Sequence, residues 1–187
     1  MRGFAPLDSR GRLSLRGRFL MPTAFYRRKL PHLQRDDKPH FLTFCTHLRW
    51  ILPCAARDLV LACCLHDNDL KIEVDAVVVM PDHVHIIFTP LINEATCDFY
   101  SLSEIMDAIK GASAHKINRL LARTGRVWQT ESFDRVLRSS ENLGEKIQYI
   151  LDNPVRAGLA STSEEYRWLW RRPPDDNKNQ LHVLLDA

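Results

Sequence analysis

The apolar and polar positions divide the chain into alternating β and α segments. In residues 40–48, Phe41, Thr43 and Cys45 alternate with Leu42, Phe44 and Thr46, which predicts a first strand buried on both faces. Residues 52–65 read as a helix with Leu59 and Cys63 on its apolar side, Pro53 in the first turn and Asp67-Asn68-Asp69 as the stop. Two β-branched runs, residues 71–79 and 83–89, flank Pro81-Asp82 and predict a hairpin of buried strands. After a polar loop, Ser101-Leu102-Ser103-Glu104 has capping-box spacing. Leu102, Ile105, Met106, Ile109, Ile117, Leu120 and Leu121 then follow the helical period, weakened at Gly111 and stopped at Gly125.

Residues 128–138 read as a loop and then another strand. A third helix, capped by Ser139 or Ser140, carries Leu143, Ile147, Ile150 and Leu151 at i, i+4, i+7 and i+8. Pro154 is expected to end it, because proline disfavours helical geometry in the preceding residue. Each helical residue advances ~100°, so Tyr149 lies ~200° from Ile147, off the apolar stripe. Asn153 follows one turn later on the face of Tyr149. The strands are mainly antiparallel in this reading, with helices between them, which gives an α+β fold class. Residues 1–34 are basic and lack an apolar period, so they read as a disordered segment or an arm, with Met21 an alternative start. Residues 35–172 form the folded domain, closing on a packed stretch with Tyr166, Trp168 and Trp170, and residues 173–187 form a tail.

Of the 187 residues, 45% are hydrophobic and 26% charged, enough for one globular domain with an extension. Apolar runs are too short to cross a bilayer, and no signal-peptide core precedes a small-residue cleavage site, so a soluble, cytoplasmic protein without a membrane partner is expected. Cys45, Cys54, Cys63, Cys64 and Cys97 show neither C-x-x-C spacing nor an even disulfide framework, which argues against a cysteine metal site. The net charge of +3 is unevenly spread. Residues 1–40 hold ten Lys/Arg against three Asp/Glu, a local +7, and the remainder holds 16 against 20, a net of −4. Within that remainder Lys110, Lys116, Arg119, Arg123, Arg126, Arg135 and Arg138 face only Glu131 and Asp134 over residues 110–138. Two basic regions on an acidic body point to a polyanion, since phosphate contacts dominate affinity for nucleic acid.

Side chains alternate along a strand, so His83 and His85 share one face while Val84 and Ile86 share the other. Such a pair is either two satisfied structural histidines or two ligands of a divalent ion. An ion held there would keep open positions and could polarise a phosphodiester, and a tyrosine off the apolar stripe could supply the nucleophile.

Met80-Pro81-Asp82-His83-Val84-His85 resembles the HUH motif (histidine, hydrophobic, histidine) of the single-tyrosine transposases. Tyr149-Ile150-Leu151-Asp152-Asn153-Pro154-Val155-Arg156-Ala157-Gly158-Leu159 resembles the tyrosine helix of their REP-associated branch. Val127-Trp128-Gln129 with Phe133-Asp134 is similar to the segment those proteins place between the two, and Arg27-Arg28-Lys29-Leu30-Pro31-His32 to their entry sequence. The resemblance implies a ferredoxin-like (RRM-like) sandwich with the HUH pair on a sheet strand and the tyrosine helix brought over it. It implies Mg2+ or Mn2+ held by His83, His85 and Asn153, and Tyr149 attacking a DNA phosphate to give a 5′-phosphotyrosine and a free 3′-OH. The partner implied is single-stranded or hairpin DNA of palindromic repeats in a bacterial cytoplasm. Arg27, Arg28, Lys110, Lys116, Arg119, Arg123, Arg135 and Arg138 are the candidate DNA contacts, and the protein acts as a monomer or a homodimer. The branch commonly has Tyr-Ile-His-Leu-Asn-Pro where this chain has Leu151-Asp152, so any role of that histidine is missing here. A domesticated hairpin binder that no longer cuts is the alternative, and a phosphodiesterase using activated water is a third reading.

Overall fold

The computed structural model describes residues 38–137 and 143–173. The N-terminal arm with Arg27 and Arg28, Arg138, the Ser139 or Ser140 cap and all but the first residue of the tail lie outside them.

In chain order the elements are β1 (His40–Thr46), α1 (Cys54–Leu65), β2 (Ile72–Val79), β3 (His83–Pro90), β4 (Ile92–Asn93), β5 (Asp98–Phe99), α2 (Leu102–Leu120), β6 (Trp128–Val136), α3 (Leu143–Arg156) and β7 (Leu169–Arg171). One five-stranded sheet has the order β6-β1-β3-β2-β7, antiparallel throughout. Leaving aside the small β4-β5 hairpin, β1-α1-β2-β3-α2-β6 is the ferredoxin-like βαββαβ arrangement, extended at the β2 edge by β7.

Alternation along the strands sends two sets of side chains to two cores. Leu42, Phe44, Val84, Ile86 and Phe88 meet Ala56, Val60 and Cys64 of α1 and Leu102, Ile105 and Ile109 of α2 on one face. On the other face Ala76, Val78 and Ile87 pack with Ile150 of α3 and with Tyr166. A register shift between Val74 and Ala76 makes this partition possible. Asp75 is the extra residue, so Ile72 and Val74 face the α1-α2 core while Ala76 and Val78 face α3.

The capping box at α2 forms as its spacing predicts, with the Glu104 N–H donating to Ser101 Oγ at 3.2 Å and the Ser101 N–H to Glu104 Oε2 at 3.0 Å. Other boundaries differ from the sequence reading. α2 ends at Leu120 and not at Gly125, because Ala122 takes the left-handed position (φ 46°) usually given to glycine. The Arg123 N–H then reaches the Asn118 carbonyl and the Ala122 N–H the Arg119 carbonyl, a Schellman closure. α3 does not stop at Pro154 but carries it inside the last turn and ends at Arg156. Proline removes one helical donor, yet only the closing turn follows. That turn is secured by the Gly158 N–H on the Val155 carbonyl and the Leu159 N–H on the Pro154 carbonyl, with Gly158 at φ 67°. Pro53 precedes α1 as its cap and is not within its first turn. β6 starts directly at Trp128 without an intervening loop, and the tail stretch supplies β7.

Candidate active site

β3 is flanked by β1 and β2 at the centre of the sheet, so its side chains are held on both sides. His83 and His85 share the α3 face, with ring centroids 4.8 Å apart. Each ring is fixed through Nδ1. His83 Nδ1 lies 2.6 Å from Asp82 Oδ1, and since a carboxylate only accepts, the proton sits on Nδ1 and the Nε2 lone pair is left open. His85 Nδ1 lies 2.7 Å from the hydroxyl of Thr43, its cross-strand partner on β1.

Arg49 donates to the other oxygen of Asp82 at 3.0 Å. Burial alone would raise the Asp82 carboxyl, but the His83 hydrogen bond and the His83 and Arg49 charges more than offset it and hold it below its usual range. His85 keeps 7% exposure. Burial first, and then the neighbouring His83, push its imidazole down to about 4, so it is neutral near pH 7 as a ligand must be. Its Nε2 is not among the described residues' buried polar atoms that lack a partner. Cys45 stands opposite His83 on β1, but burial pushes its thiol up, which disfavours the thiolate a metal would need.

α3 crosses this face and brings Tyr149 over the pair. The ring is 41% exposed and sits edge-on to His85 with centroids 5.8 Å apart, and to Phe41 with centroids 6.1 Å apart. Ile150, the next residue, is fully buried against the sheet and anchors the helix. Asn153 donates its side-chain amide to the Tyr149 carbonyl at 2.7 Å, which leaves Oδ1 as the atom available to a cation. The Arg156 guanidinium lies 5.7 Å from the Tyr149 ring centroid.

Among the described residues no group of three or more His, Cys, Asp or Glu is arranged to hold a metal ion. Two imidazoles on one strand face and an amide oxygen on the helix that crosses it nevertheless suit a divalent ion that fills its other positions with water and phosphate oxygens. His83, His85 and Asn153 are the residues that would hold it.

The predicted basic residues are scattered. α2 packs against the sheet face opposite the histidines, so Lys110, Lys116, Arg119 and Arg123 do not join the pair and Tyr149. Lys110 donates to the Gln129 and Thr130 carbonyls and the Ser132 hydroxyl of β6, and burial lowers its pKa. Arg123 lies 4.2 Å over the Trp50 ring and donates to the Arg126 carbonyl. Lys116 and Arg119 are exposed, and Lys116 reaches the Cys63 thiol of α1 with a hydrogen bond. Arg135 is opposite Phe41 in the β1-β6 ladder and therefore shares the histidine face.

Sequence reasoning missed Thr43, the Asp82 contact and Arg156 as parts of the site. Arg156 had a signal, since seven residues make two helical turns and return to the face of Tyr149. Thr43 had none, because cross-strand register is not written in either strand.

No curated protein matches the chain. Among solved structures, a REP-associated tyrosine transposase bound to a REP hairpin is similar in fold over 72% of this chain and 77% of its own, at 20% identity and a TM-score of 0.59. A putative transposase from Deinococcus radiodurans is matched over 64% of this chain and 92% of its own, at 22% identity and a TM-score of 0.42. The family model described as "Transposase IS200 like" matches residues 57–151, about half of the sequence, a span that includes both histidines and Tyr149. The chain belongs to the IS200-like transposase family.

Proposed function

We propose that this transposase nicks and joins single-stranded DNA at hairpin or palindromic repeats, with Tyr149 as the nucleophile and His83, His85 and Asn153 as ligands of Mg2+ or Mn2+. The observation that carries the proposal is the placement of a partly exposed tyrosine 5.8 Å, ring to ring, from a histidine whose own neighbour is a second histidine. A pure binding protein has no need of that arrangement.

Bound there, a divalent ion would act as a Lewis acid on the scissile phosphate. The Tyr149 oxygen attacks phosphorus, a new O–P bond forms, and the bond from phosphorus to the 3′ oxygen breaks. The products are a 5′-phosphotyrosine and a 3′-OH, with the phenol proton balanced by the proton taken up at the departing oxygen. Attack by another 3′-OH on the phosphotyrosine reverses the exchange and joins strands, so no further reactant is needed. The protein's contribution is positioning: Ile150 fixes the helix, Asp82 and Thr43 fix the two rings, and Arg156 places a cation beside the phenol. The solved REP hairpin complex of a transposase with this fold supports a hairpin substrate for this chain. Arg135 is assigned to phosphate near the centre, and Lys116 and Arg119, with Arg123, to the stem beyond it.

End-labelled single-stranded hairpin DNA incubated with Mn2+ and separated under denaturing conditions tests the reading. The wild-type chain should form a covalent band, and Tyr149→Phe should bind with near wild-type affinity and form none. A band that persists in Tyr149→Phe overturns the assignment. DNA cut without any covalent band identifies a water-using phosphodiesterase, and binding without cutting identifies the domesticated binder.

A further inference from the structure

Among the described residues, Phe133 and Tyr149 are the aromatic side chains among the exposed large hydrophobics, at 59% and 41%. Both lie on the same side of the sheet. Phe133 pairs with Thr43 across β6 and β1, and Thr43 pairs with His85 across β1 and β3, so one rung carries Phe133, Thr43 and His85 on one face. Two strand spacings of ~4.8 Å put Phe133 ~10 Å from His85. The next rung on this face carries Arg135 opposite Phe41, whose ring stacks on His85 at 5.5 Å. A surface therefore runs from the β6 edge to Tyr149 as aromatic ring, small hydroxyl, imidazole and phenol, with Arg135 near one end and Arg156 near the other.

A phenylalanine standing in water on an edge strand is a liability unless something covers it. We propose that Phe133 is a stacking platform for an unpaired nucleobase of the DNA strand leading to or from the cleaved phosphate. The inference rests on the DNA-cleaving reading of the same face. Single strands bind by this combination, in which aromatic faces take bases and flanking cations follow the backbone. Its distance from His85 fixes the position of the base. At ~3.4 Å per stacked nucleotide, and more in an extended strand, ~10 Å places the base within about three nucleotides of a phosphate held at His85. Stacking tolerates any base, so Phe133 gives reach and register and leaves sequence readout to other groups.

The test uses the full chain with a hairpin oligonucleotide carrying a ten-thymine single-stranded flank and 2-aminopurine at one flank position at a time. Fluorescence quenching reports stacking, and anisotropy reports affinity. Wild type and Tyr149→Phe should quench one position within about three nucleotides of the cut. Phe133→Ala should lose that quenching and bind the flanked hairpin roughly 10- to 100-fold more weakly, as expected for one base stack. Phe133→Trp should restore both, and Phe133→Leu, which keeps apolar area without a π face, should not. Blunt hairpin lacking the flank should bind all five proteins alike. Equal behaviour of wild type and Phe133→Ala overturns the proposal, as does full rescue by leucine or an equal loss on blunt hairpin. A wild-type dimer that Phe133→Ala converts to monomer also overturns it, since the ring would then face a second copy. Quenching at Phe133 without a covalent band would defeat the cleavage reading alone, and a covalent band unaffected by Phe133→Ala at limiting DNA would defeat only this inference.

Discussion

Acidification should destabilise the metal-free protein through His85 before the Asp67 and Asp82 carboxylates respond. The imidazole is held at about 4 against an ordinary 6.5, chiefly by burial under Phe41 and Tyr149 and then by His83 beside it. The folded pKa lies below the unfolded one, so between pH 6.5 and 4 the unfolded chain binds a proton that the folded chain refuses. The stability contributed by neutral His85 is complete above about pH 6.5 and drains as the pH falls towards 4. At ~1.4 kcal/mol per unit, that interval corresponds to about 3 kcal/mol, a large part of a domain's usual 5–15 kcal/mol. Asp67 and Asp82 are also held low, each in spite of burial, by their hydrogen-bonded histidine and basic neighbours. Their contribution is lost only as the pH falls through folded values below 3.8, outside the window. Urea unfolding followed by tryptophan fluorescence in EDTA, at half-unit steps from pH 7.5 to 4.5, reads the slope. His85→Gln should start less stable, having lost the ring contacts, but fall less steeply between pH 6.5 and 4.5. Parallel slopes for the two proteins would refute the linkage.

Asp82→Asn should weaken Mn2+ binding by roughly 10- to 100-fold, because the carboxylate that sets the His83 tautomer is gone. Titration calorimetry checks this, and Arg49→Gln, which leaves the His83 contact in place, should change it far less. Ile150→Ala should cost about 2–5 kcal/mol in urea unfolding, since the side chain is fully buried between α3 and the sheet. The same variant should form the covalent adduct more slowly at temperatures where it is still folded, because Tyr149 is the neighbouring residue.

The parts of this site that follow a single element's own period were legible in the sequence. A two-residue period put His83 and His85 on one face, and a helical period put Tyr149 and Asn153 off the apolar stripe, as observed. Relations between elements were not legible. The apolar face of α2 and its basic face could be told apart, but nothing local states that α2 covers the side of the sheet away from the histidines. Likewise the pairing of Thr43 with His85 follows from how β1 docks on β3, and the two-sided burial of β2 from one extra residue at Asp75. Both helix ends were misjudged for the same reason. Gly125 and Pro154 are strong punctuation, but the backbone closes wherever the 6→1 and 5→2 bonds can form, which here needed Ala122 in a left-handed conformation and Gly158 beyond the proline.

The two histidines ride on a central strand hydrogen-bonded on both sides, whereas the tyrosine rides on a helix whose buried side chains are Ile150, Leu151 and Pro154. A strand paired on both sides should open less often than such a helix, and native-state hydrogen exchange would then see them as separate opening units. Under the proposed chemistry, adduct formation at Tyr149 would then report the fraction of molecules in which α3 is docked, a smaller number than the fraction folded. On heating, the proposed centre should come apart at the seam between its halves while the sheet still gives the spectrum of an intact protein.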